Sequence, residues 1–353
     1  MVHAPSPIRF AFTGDINLGT RTFEDGIPPD SGRQLFAAVD SLLRGDLVVG
    51  NFEGVLSDSG FSLKCGPPPD STATDSTPKP RRKRLKPRRN VHANCYSFAT
   101  PTWLAARLPE AGFTHLNLAN NHANDYGVDA RHHTEESLRA LGLVPYGPLE
   151  SVVIQPVIHD GAMTLVGIVG FTTYPHAYNL LDLAESAGIV DSVRKLVDVL
   201  VVTFHGGSEG SAAVRTPKGP EFLKKEPRGN LRKWARTVID AGADAVVGHG
   251  PHVLRGVEFY HGKPIFYSLG NFMTYRGFNL DGSLGLTTVL QLELDGDGTF
   301  RSARMPALIQ IPQVGPTPDQ SGAAVLLLRR VTGLDFPGTG AAITDDGEVF
   351  PPR

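Results

Sequence analysis

The segment IRFAFTGDIN, residues 8–17, is an apolar run that ends in a glycine, a carboxylate and an amide. We predict a buried strand over residues 8–13, with the polar cluster at its carboxyl end. Three further polar clusters and one single histidine follow other apolar runs in the same way. They are Gly50-Asn51-Phe52-Glu53, Asn120-Asn121-His122-Ala123-Asn124-Asp125, His205, and Gly248-His249-Gly250-Pro251-His252.

These clusters predict a metal centre. In an open α/β sheet, the loops beyond the carboxyl ends of the strands converge on one crevice. Carboxylate, amide oxygen and imidazole are ligands that suit manganese, iron and zinc. We therefore expect one or two divalent transition-metal ions, and two are favoured by the number of clusters.

The composition is that of a globular enzyme. The chain has 353 residues, a formal net charge of −2 and 41% hydrophobic residues, so it can bury a large core and is not a polyanion binder as a whole. The two cysteines, Cys65 and Cys95, are too few for a disulfide scaffold. We expect a soluble cytoplasmic protein, which favours two free thiols, although Cys65 and Cys95 could instead pair and close the neck of the segment between them.

The expected location rests on the absence of membrane signals. The first seven residues contain no signal peptide, although a protein trimmed of its leader would look the same. No run of 18 apolar residues occurs, so no membrane span is expected.

The order of the predicted elements favours an α/β fold in one domain over residues 1–353. Helices and strands alternate first, and antiparallel hairpins follow, which predicts a β-sandwich flanked by helices. Helices are expected over residues 31–43, 101–111, 129–141, 179–187 and 230–241. Strands are expected over residues 46–52, 115–119, 197–204 and 245–248, with hairpins at 152–171, 257–268 and 287–308.

Residues 56–94 form an insert that is rich in proline and polar residues, and residues 309–353 are expected to form a C-terminal extension. The insert contains the basic run KPRRKRLKPRR at residues 79–89. Such a run is typical of a solvated, disordered loop. It can also dock an acidic partner. Nucleic acid is disfavoured because no aromatic residues are interleaved for stacking.

Each candidate ligand has a structural alternative. Asp15 could instead cap a helix, and Glu53 could be a surface residue at a strand end. Two histidines three residues apart, His249 and His252, can converge on a metal pair, whereas core histidines would pack poorly beside Gly250 and Pro251. A lone histidine at a strand end, such as His205, is usually structural. Only the presence of the other clusters makes it a candidate ligand.

The cluster at residues 120–125 combines three functions. Asparagine is a poor strand former, so Asn121 at the end of a strand is a candidate metal ligand. His122 can transfer protons near neutral pH. Asp125, three residues on, can orient an imidazole.

The order of these motifs resembles the calcineurin-like metallophosphoesterases, and more closely their poly-γ-glutamate capsule-synthesis branch. The resemblance covers residues 10–272 and implies a four-layer α/β/β/α sandwich. The matching motifs are residues 14–19, residues 51–54 (NFEG), residues 117–125 (NLANNHAND) and residues 267–272 (YSLGNF).

The resemblance also implies roles for individual residues. Asp15 and His252 would hold one metal, and Glu53 would bridge to the second. His122 would be the acid/base, with Asp125 beside it. The ligands of the second metal would be Asn121, His205 and His249.

Two departures from the family pattern put ordinary phosphoesterase activity in doubt. Phosphoesterases have a histidine where this chain has Asn17, and a bridging aspartate where it has Asn51. Glu53 would have to replace the aspartate.

Soluble members of the branch resemble lasso-peptide epimerases, which implies a metal-dependent epimerase that inverts a Cα centre of a precursor peptide. The alternatives are a capsule-biosynthesis protein, a phosphoesterase, or a scaffold without turnover. An acidic leader of the peptide could dock on the basic insert, and neither nucleic acid nor membrane is expected as a partner. The second acid/base stays open between four residues, namely Glu53, Asp125, His176 and Glu209.

Overall fold

The computed structural model describes residues 6–65 and 95–352. Its strands in the first half of the chain are β1 (Ile8–Asn17), β2 (Leu47–Phe52), β3 (Val55–Leu56), β4 (Ala99–Thr100), β5 (His115–Asn117), β6 (Val144–Tyr146), β7 (Val153–His159), β8 (Ala162–Thr172) and β9 (Tyr178–Asn179). Those in the second half are β10 (Val199–His205), β11 (Glu221–Leu223), β12 (Glu226–Gly229), β13 (Ala245–His249), β14 (Val257–Tyr260), β15 (Lys263–Phe266), β16 (Asn271–Thr274), β17 (Leu286–Thr287), β18 (Val289–Leu294), β19 (Phe300–Arg304), β20 (Leu308–Ile311), β21 (Gly315–Pro318), β22 (Ala342–Ile343) and β23 (Glu348–Phe350). The α-helices are α1 (Arg107–Ala111), α2 (Val128–Ala140), α3 (Leu183–Arg194), α4 (Leu231–Asp240) and α5 (Ala323–Asp335).

Two large sheets contain most of the strands. The first has the order β22-β23-β19-β18-β1-β2-β5-β6, with β16 also paired to β1. The second has the order β14-β15-β13-β10-β8-β7, with β9 paired to β8. Phe10 and Val49 of the first sheet share one apolar core with Ile168 and Val201 of the second, so the sheets pack face to face.

Helices cover the outer faces of both sheets. Leu108 of α1 and Leu138 of α2 pack on the first sheet, and Val190 of α3 and Trp234 of α4 pack on the second. Both faces of the central strands are therefore buried, which explains why β1 and β10 read as nearly continuous apolar runs. The predicted four-layer α/β/β/α architecture is confirmed.

The helix predicted over residues 31–43 is wrong. This part of the chain forms turns and two short 3₁₀ helices, Pro29–Gly32 and Asp40–Leu42. Asp30 and Ser31 have φ angles of 51° and 55°, which an α-helix does not allow. Leu35 and Val39 are nevertheless buried, so the apolar spacing is satisfied by packing alone.

The hairpins and the remaining long helices lie close to their predicted positions. The turn at Asp160 and Gly161 joins β7 to β8 as expected. The helix expected from residue 179 begins later, because the side chain of Asp182 accepts from the backbone N–H groups of Ala184 and Glu185 and caps α3 there. The predicted helix over residues 101–111 is a 3₁₀ segment, Thr102–Ala106, followed by α1.

The C-terminal part of the chain packs on the sandwich. Strand β23 pairs with β19 and extends the first sheet. Val325 and Leu328 of α5 lie in the core shared by both sheets. Residues beyond 309 thus contribute to the same core, while the division of the chain into domains stays a prediction.

The prediction of free thiols is wrong, because Cys65 and Cys95 form a disulfide with their Cα atoms 5.7 Å apart. Strands β3 and β4 pair in parallel, which brings the two ends of the insert together. The basic run at residues 79–89 lies outside the described residues. Within residues 6–65 and 95–352, no helix is long and apolar enough to cross a bilayer.

Candidate metal centre

Parallel strands bring the predicted ligands to one edge of the sandwich. Asp15 of β1 lies opposite Asn51 of β2 in register, and His205 of β10 lies opposite His249 of β13. The Nε2–H of His249 donates to the carbonyl of Thr13 at 2.9 Å and so links the two sheets. The carboxyl ends of strands from both sheets therefore meet at this point.

Several predicted ligands present buried polar atoms that have no hydrogen-bond partner among the described residues. Leaving such atoms unpaired is costly, and native proteins rarely do so without a ligand or an ion. This donor set of carboxylate, amide oxygen and imidazole fits a divalent transition metal. The unpaired atoms are Oε1 and Oε2 of Glu53, Oδ1 of Asn121, Nε2 of His205 and Nδ1 of His249.

Glu53 lies in the middle of the group. Its Oε1 is 3.7 Å from Nε2 of His252, 3.8 Å from Nε2 of His122 and 4.0 Å from Nε2 of His205. Two ligands that each lie about 2.1 Å from one ion are themselves about 3–4 Å apart. Ligand atoms of Asp15, Glu53 and His252 also lie within 4.8 Å of one another. The spacing therefore allows Glu53 to share an ion with its histidine neighbours.

The ring of His252 is held by hydrogen bonds on its far side. Its Nδ1–H lies 2.9 Å from Oδ2 of Asp15 and 3.1 Å from Oδ1 of Asn271. The other oxygen of Asp15 accepts from Nδ2 of Asn51 at 2.8 Å. Metal-binding histidines are commonly oriented by a carboxylate in this way, with the second nitrogen free for the ion. Asp15 can thus position a ligand as well as act as one.

Burial and neighbouring charges also shift the pKa values of the candidate ligands. Burial raises the pKa of Glu53 well above its usual range, and burial lowers that of His205 well below its own. Burial alone would lower the pKa of His252, but the charge of Glu53 and the hydrogen bond to Asp15 outweigh it and raise the pKa to about 10. A bound cation would favour the carboxylate and the neutral imidazoles.

His122 and Asp125 form a buried pair beside Glu53. The Nδ1–H of His122 donates to Oδ2 of Asp125 at 2.7 Å, and the backbone N–H of Phe98 donates to the same oxygen at 2.9 Å. Burial lowers the pKa of His122, although Asp125 opposes this shift. A neutral ring with its Nδ1 held by Asp125 leaves Nε2 as the atom that can take up a proton.

The two asparagines that depart from the phosphoesterase pattern act as scaffold. Asn17 donates from Nδ2 to the carbonyl of Glu53 at 3.0 Å. Oδ1 of Asn51 accepts from the side chains of Asn117 at 3.0 Å and Asn120 at 3.3 Å. Both side chains are therefore committed to hydrogen bonds, as scaffold residues would be.

A cavity of about 460 Å³ opens above the predicted ligands. Phe98 and Phe278 stack in its wall at 4.8 Å, and Tyr96 lies half-exposed at its rim. Within the described part of the chain, no lysine or arginine lines it. The residues that line it are Tyr96, Phe98, His122, Glu209, Gly210, Ser211, Leu223, His252, Asn271, Gly277, Phe278, Asn279 and Leu284.

Glu209 is the candidate second acid/base that reaches this cavity on the side of His252. Its Oε2 lies 4.0 Å from Nε2 of His252, and its Oε1 accepts from the buried guanidinium of Arg228 at 2.7 Å. His176 does not line the cavity, because its Nε2–H donates to the carbonyl of Leu118 at 3.2 Å. No sequence pattern indicated Arg228, which lies 19 residues from Glu209.

The fold is an α/β/β/α sandwich whose candidate metal ligands lie at the carboxyl ends of strands from both sheets. The sequence pattern of the family described as "Bacterial capsule synthesis protein PGA_cap" matches residues 83–276, which is more than half of the chain. The chain belongs to this family.

Two curated relatives carry matching descriptions. The chain is 28% identical to the "PGA biosynthesis protein CapA" of Bacillus subtilis (strain 168), over 87% of this chain and 73% of the relative. It is 32% identical to the "Capsule biosynthesis protein CapA" of Bacillus anthracis, over 57% of this chain and 49% of the relative, so the match spans about half of that protein.

The solved structures that are similar to this chain include a putative 5'-nucleotidase from Staphylococcus aureus. The TM-score is 0.46 at 15% identity, over 91% of this chain and 58% of that one. The family match and the curated relatives confirm the capsule-synthesis resemblance. The comparisons do not show a likeness to lasso-peptide epimerases, which stays a hypothesis.

Proposed function

We propose that the protein is a metal-dependent enzyme of polyglutamate biosynthesis, in which His122 transfers a proton to or from a substrate bound in the cavity. The observation that carries the proposal is the convergence of unpaired, buried ligand atoms around Glu53, beside the His122–Asp125 pair. A structural scaffold would not need such atoms, because leaving them unpaired costs stability.

One group of residues would bind the metal ion. Glu53, Asn121, His205, His249 and His252 would hold manganese, iron or zinc, with Asp15 binding directly or orienting His252. The ion would supply Lewis-acid polarisation of a substrate carbonyl or carboxylate.

His122 would exchange a proton through Nε2 while Asp125 holds the opposite nitrogen. Glu209, fixed by Arg228, would face the substrate from the side of His252. Phe98 and Phe278 would exclude water from the wall of the cavity.

The substrate class is supported by the family. The descriptions of the relatives name PGA biosynthesis and capsule biosynthesis, and we take PGA to be poly-γ-glutamate. A γ-glutamyl chain offers both the amide carbonyl and the carboxylate that such a centre can bind. Arg276 lines a second cavity, of about 630 Å³, which shares Gly277, Phe278 and Asn279 with the first, and it could receive a carboxylate further along the chain.

The test uses synthetic γ-glutamyl oligomers of defined length and configuration. Metal-loaded protein should change their length or configuration, as seen by mass spectrometry and chiral analysis, and His122→Ala should not. The exposed His132 on α2 provides a matched control, because His132→Ala leaves the site untouched. Oligomers that stay unchanged with fully metal-loaded protein would reject the polyglutamate substrate.

A second candidate function, epimerisation of a peptide at Cα, is favoured by the lining of the cavity. Tyr96, Phe98 and Phe278 contribute aromatic rings to its wall, and both His122 and Glu209 line it. No lysine or arginine among the described residues lines it. That lining suits an apolar residue of a peptide better than a polyanion. An acidic leader docking on residues 79–89 would belong to this candidate.

This alternative predicts solvent deuterium at one Cα of a peptide incubated with metal-loaded protein in deuterium oxide. Exchange in a neutral or apolar peptide, together with inert γ-glutamyl oligomers, would favour the epimerase. Rapid release of phosphate from model phosphoesters, without either change, would instead indicate a phosphoesterase.

A further inference from the structure

A segment in the first part of the insert and the segment that directly follows the insert both lie against Asp125, the residue that holds the acid/base histidine. We call residues 61–65 and 95–98 the insert neck. Ser62 donates from Oγ to the carbonyl of Asp125 at 2.8 Å, and the backbone N–H of Lys64 donates to the same carbonyl at 3.3 Å. On the other side, the N–H of Phe98 donates to Oδ2 of Asp125. Both halves of the neck thus contact Asp125.

Lys64 adds a charge to this contact. Its Nζ lies 3.2 Å from Oδ1 of Asp125, the carboxylate oxygen that faces away from His122. The Asp125 side chain is fully buried, while that of Lys64 is 41% exposed. Among the described residues, Oδ1 of Asp125 has no hydrogen bond. Without Lys64, one oxygen of a buried carboxylate would face no counter-charge, which is strongly unfavourable.

The disulfide closes the neck directly beside this ion pair. Cys65 follows Lys64 and is bonded to Cys95, three residues before Phe98. The backbone N–H of Cys65 also donates to Oγ of Ser62 at 3.1 Å. The covalent bond therefore joins the segment that carries the ammonium group to the segment that donates to Oδ2 of Asp125.

We propose that Lys64 is a positioning residue for the proton transfer by His122, and that the Cys65–Cys95 disulfide holds it in place. The inference rests on the proposed function. The ammonium group fixes the Asp125 carboxylate from one side, and the carboxylate fixes the tautomer and the direction of the His122 ring. Lys64 does not line the cavity and is not among the predicted metal ligands, so it acts through Asp125 alone.

The expected kinetic effect is specific. Lys64→Met should lower kcat about 10- to 100-fold, as the loss of an outer partner of a site histidine does. KM and metal content should change little, because neither the cavity nor a ligand is altered. Lys64→Arg keeps the charge and should restore most of kcat. Lys195→Met, which removes an exposed lysine paired with Asp191, is the matched control and should leave kcat unchanged.

A cycle of variants tests the role of the disulfide. Removing it with Cys65→Ala and Cys95→Ala should lower kcat in the same direction as Lys64→Met. Because both changes act through one contact, the combined variant should lose less than the product of the two separate losses. Fully multiplicative losses would show that the disulfide and Lys64 act independently and would overturn that part of the proposal.

A readout that does not depend on turnover separates this inference from the proposed function. In protein with ¹⁵N-labelled histidine, the His122 ring should show a protonated Nδ1 and an unprotonated Nε2. Asp125→Asn should change that pattern, Lys64→Met should broaden or shift it, and Lys64→Arg should restore it. An unchanged His122 signal in Lys64→Met would overturn the positioning role, even if no substrate is ever found. Inactive wild-type protein with the predicted signals would reject the proposed function alone.

Discussion

Glu53 is the residue on which the candidate metal centre depends most directly. Both of its oxygens are buried and have no hydrogen-bond partner among the described residues, and the Nε2 atoms of His122, His205 and His252 lie within 4.0 Å of Oε1. A buried carboxylate in that state must take up a proton or be compensated by a positive charge. A metal ion held by Glu53 and the neighbouring imidazoles would supply that charge.

The substitution Glu53→Gln should remove the buried negative charge and should also weaken metal binding. We expect bound manganese to fall well below that of the wild type. The rise in Tm that added metal produces should shrink accordingly, because only binding to the folded state stabilises it. Elemental analysis and thermal unfolding with and without metal measure both effects. Wild-type metal content in this variant would show that Glu53 is not a ligand.

Variants of His122 and His249 should distinguish the loss of proton transfer from the loss of metal binding. His122→Ala should reduce the rate about 10²–10⁴-fold, the usual contribution of an acid/base residue, at nearly unchanged metal content. His249→Ala should lower metal content along with activity, because Nδ1 of His249 is one of the unpaired buried atoms. A fully active His122→Ala variant would remove His122 from the mechanism.

The residues that could be predicted from sequence are those that directly follow an apolar run. Asp15, Asn121 and His249 each end or follow a strand, so their type and position are enough to indicate a shared edge. Arg228 and Lys64 carry no such signal. Their partners, Glu209 and Asp125, are distant in sequence, and only the fold brings them together.

At the level of the elements, the spacing of apolar residues and the residues typical of turns predicted the hairpins and most of the helices. The hairpin of strands β7 and β8 follows from the turn signal at Asp160 and Gly161. The failure at residues 31–43 has a local cause, since apolar spacing resembled a helix while the positive φ angles of Asp30 and Ser31 prevent one. The neighbouring core, rather than a regular helix, accounts for the burial of those apolar residues.

The burial of His115 in strand β5 affects the stability of the protein at low pH. Burial lowers the pKa of His115 from 6.5 to about 4. As pH falls from about 6.5, the unfolded chain takes up this proton before the folded protein does. The stabilisation is therefore complete above about 6.5 and is lost as pH falls through about 4, with a magnitude of about 3 kcal/mol.

His115→Gln should make this loss of stability shallower, because glutamine takes up no proton. Urea unfolding of metal-free protein at pH 7 and at pH 4.5 measures the difference. His176, whose pKa burial also lowers to about 4, should keep its own contribution in the variant. An identical pH dependence in wild type and variant would show that folding does not shift the pKa of His115.

At the level of the whole molecule, the site exists because two sheets meet at their carboxyl ends. Asp15 comes from the first sheet, and His205 and His249 come from the second. The alternation of elements predicted a sandwich, and the convergence of strand ends predicted a crevice. The sequence leaves the disulfide as an open alternative to two free thiols, because the bond depends on the pairing of β3 with β4 across the insert.

The central claim is that a divalent ion binds between Glu53 and the histidines, and anomalous diffraction tests it most directly. Crystals grown with manganese and measured above and below its absorption edge should show at least one strong anomalous peak. The peak should lie about 2–2.3 Å from an oxygen of Glu53 and from at least one of Nε2 of His205 and Nδ1 of His249. Glu53→Gln crystals grown in the same way should lose it. A wild-type map without a peak beside Glu53, at saturating manganese, would contradict the account.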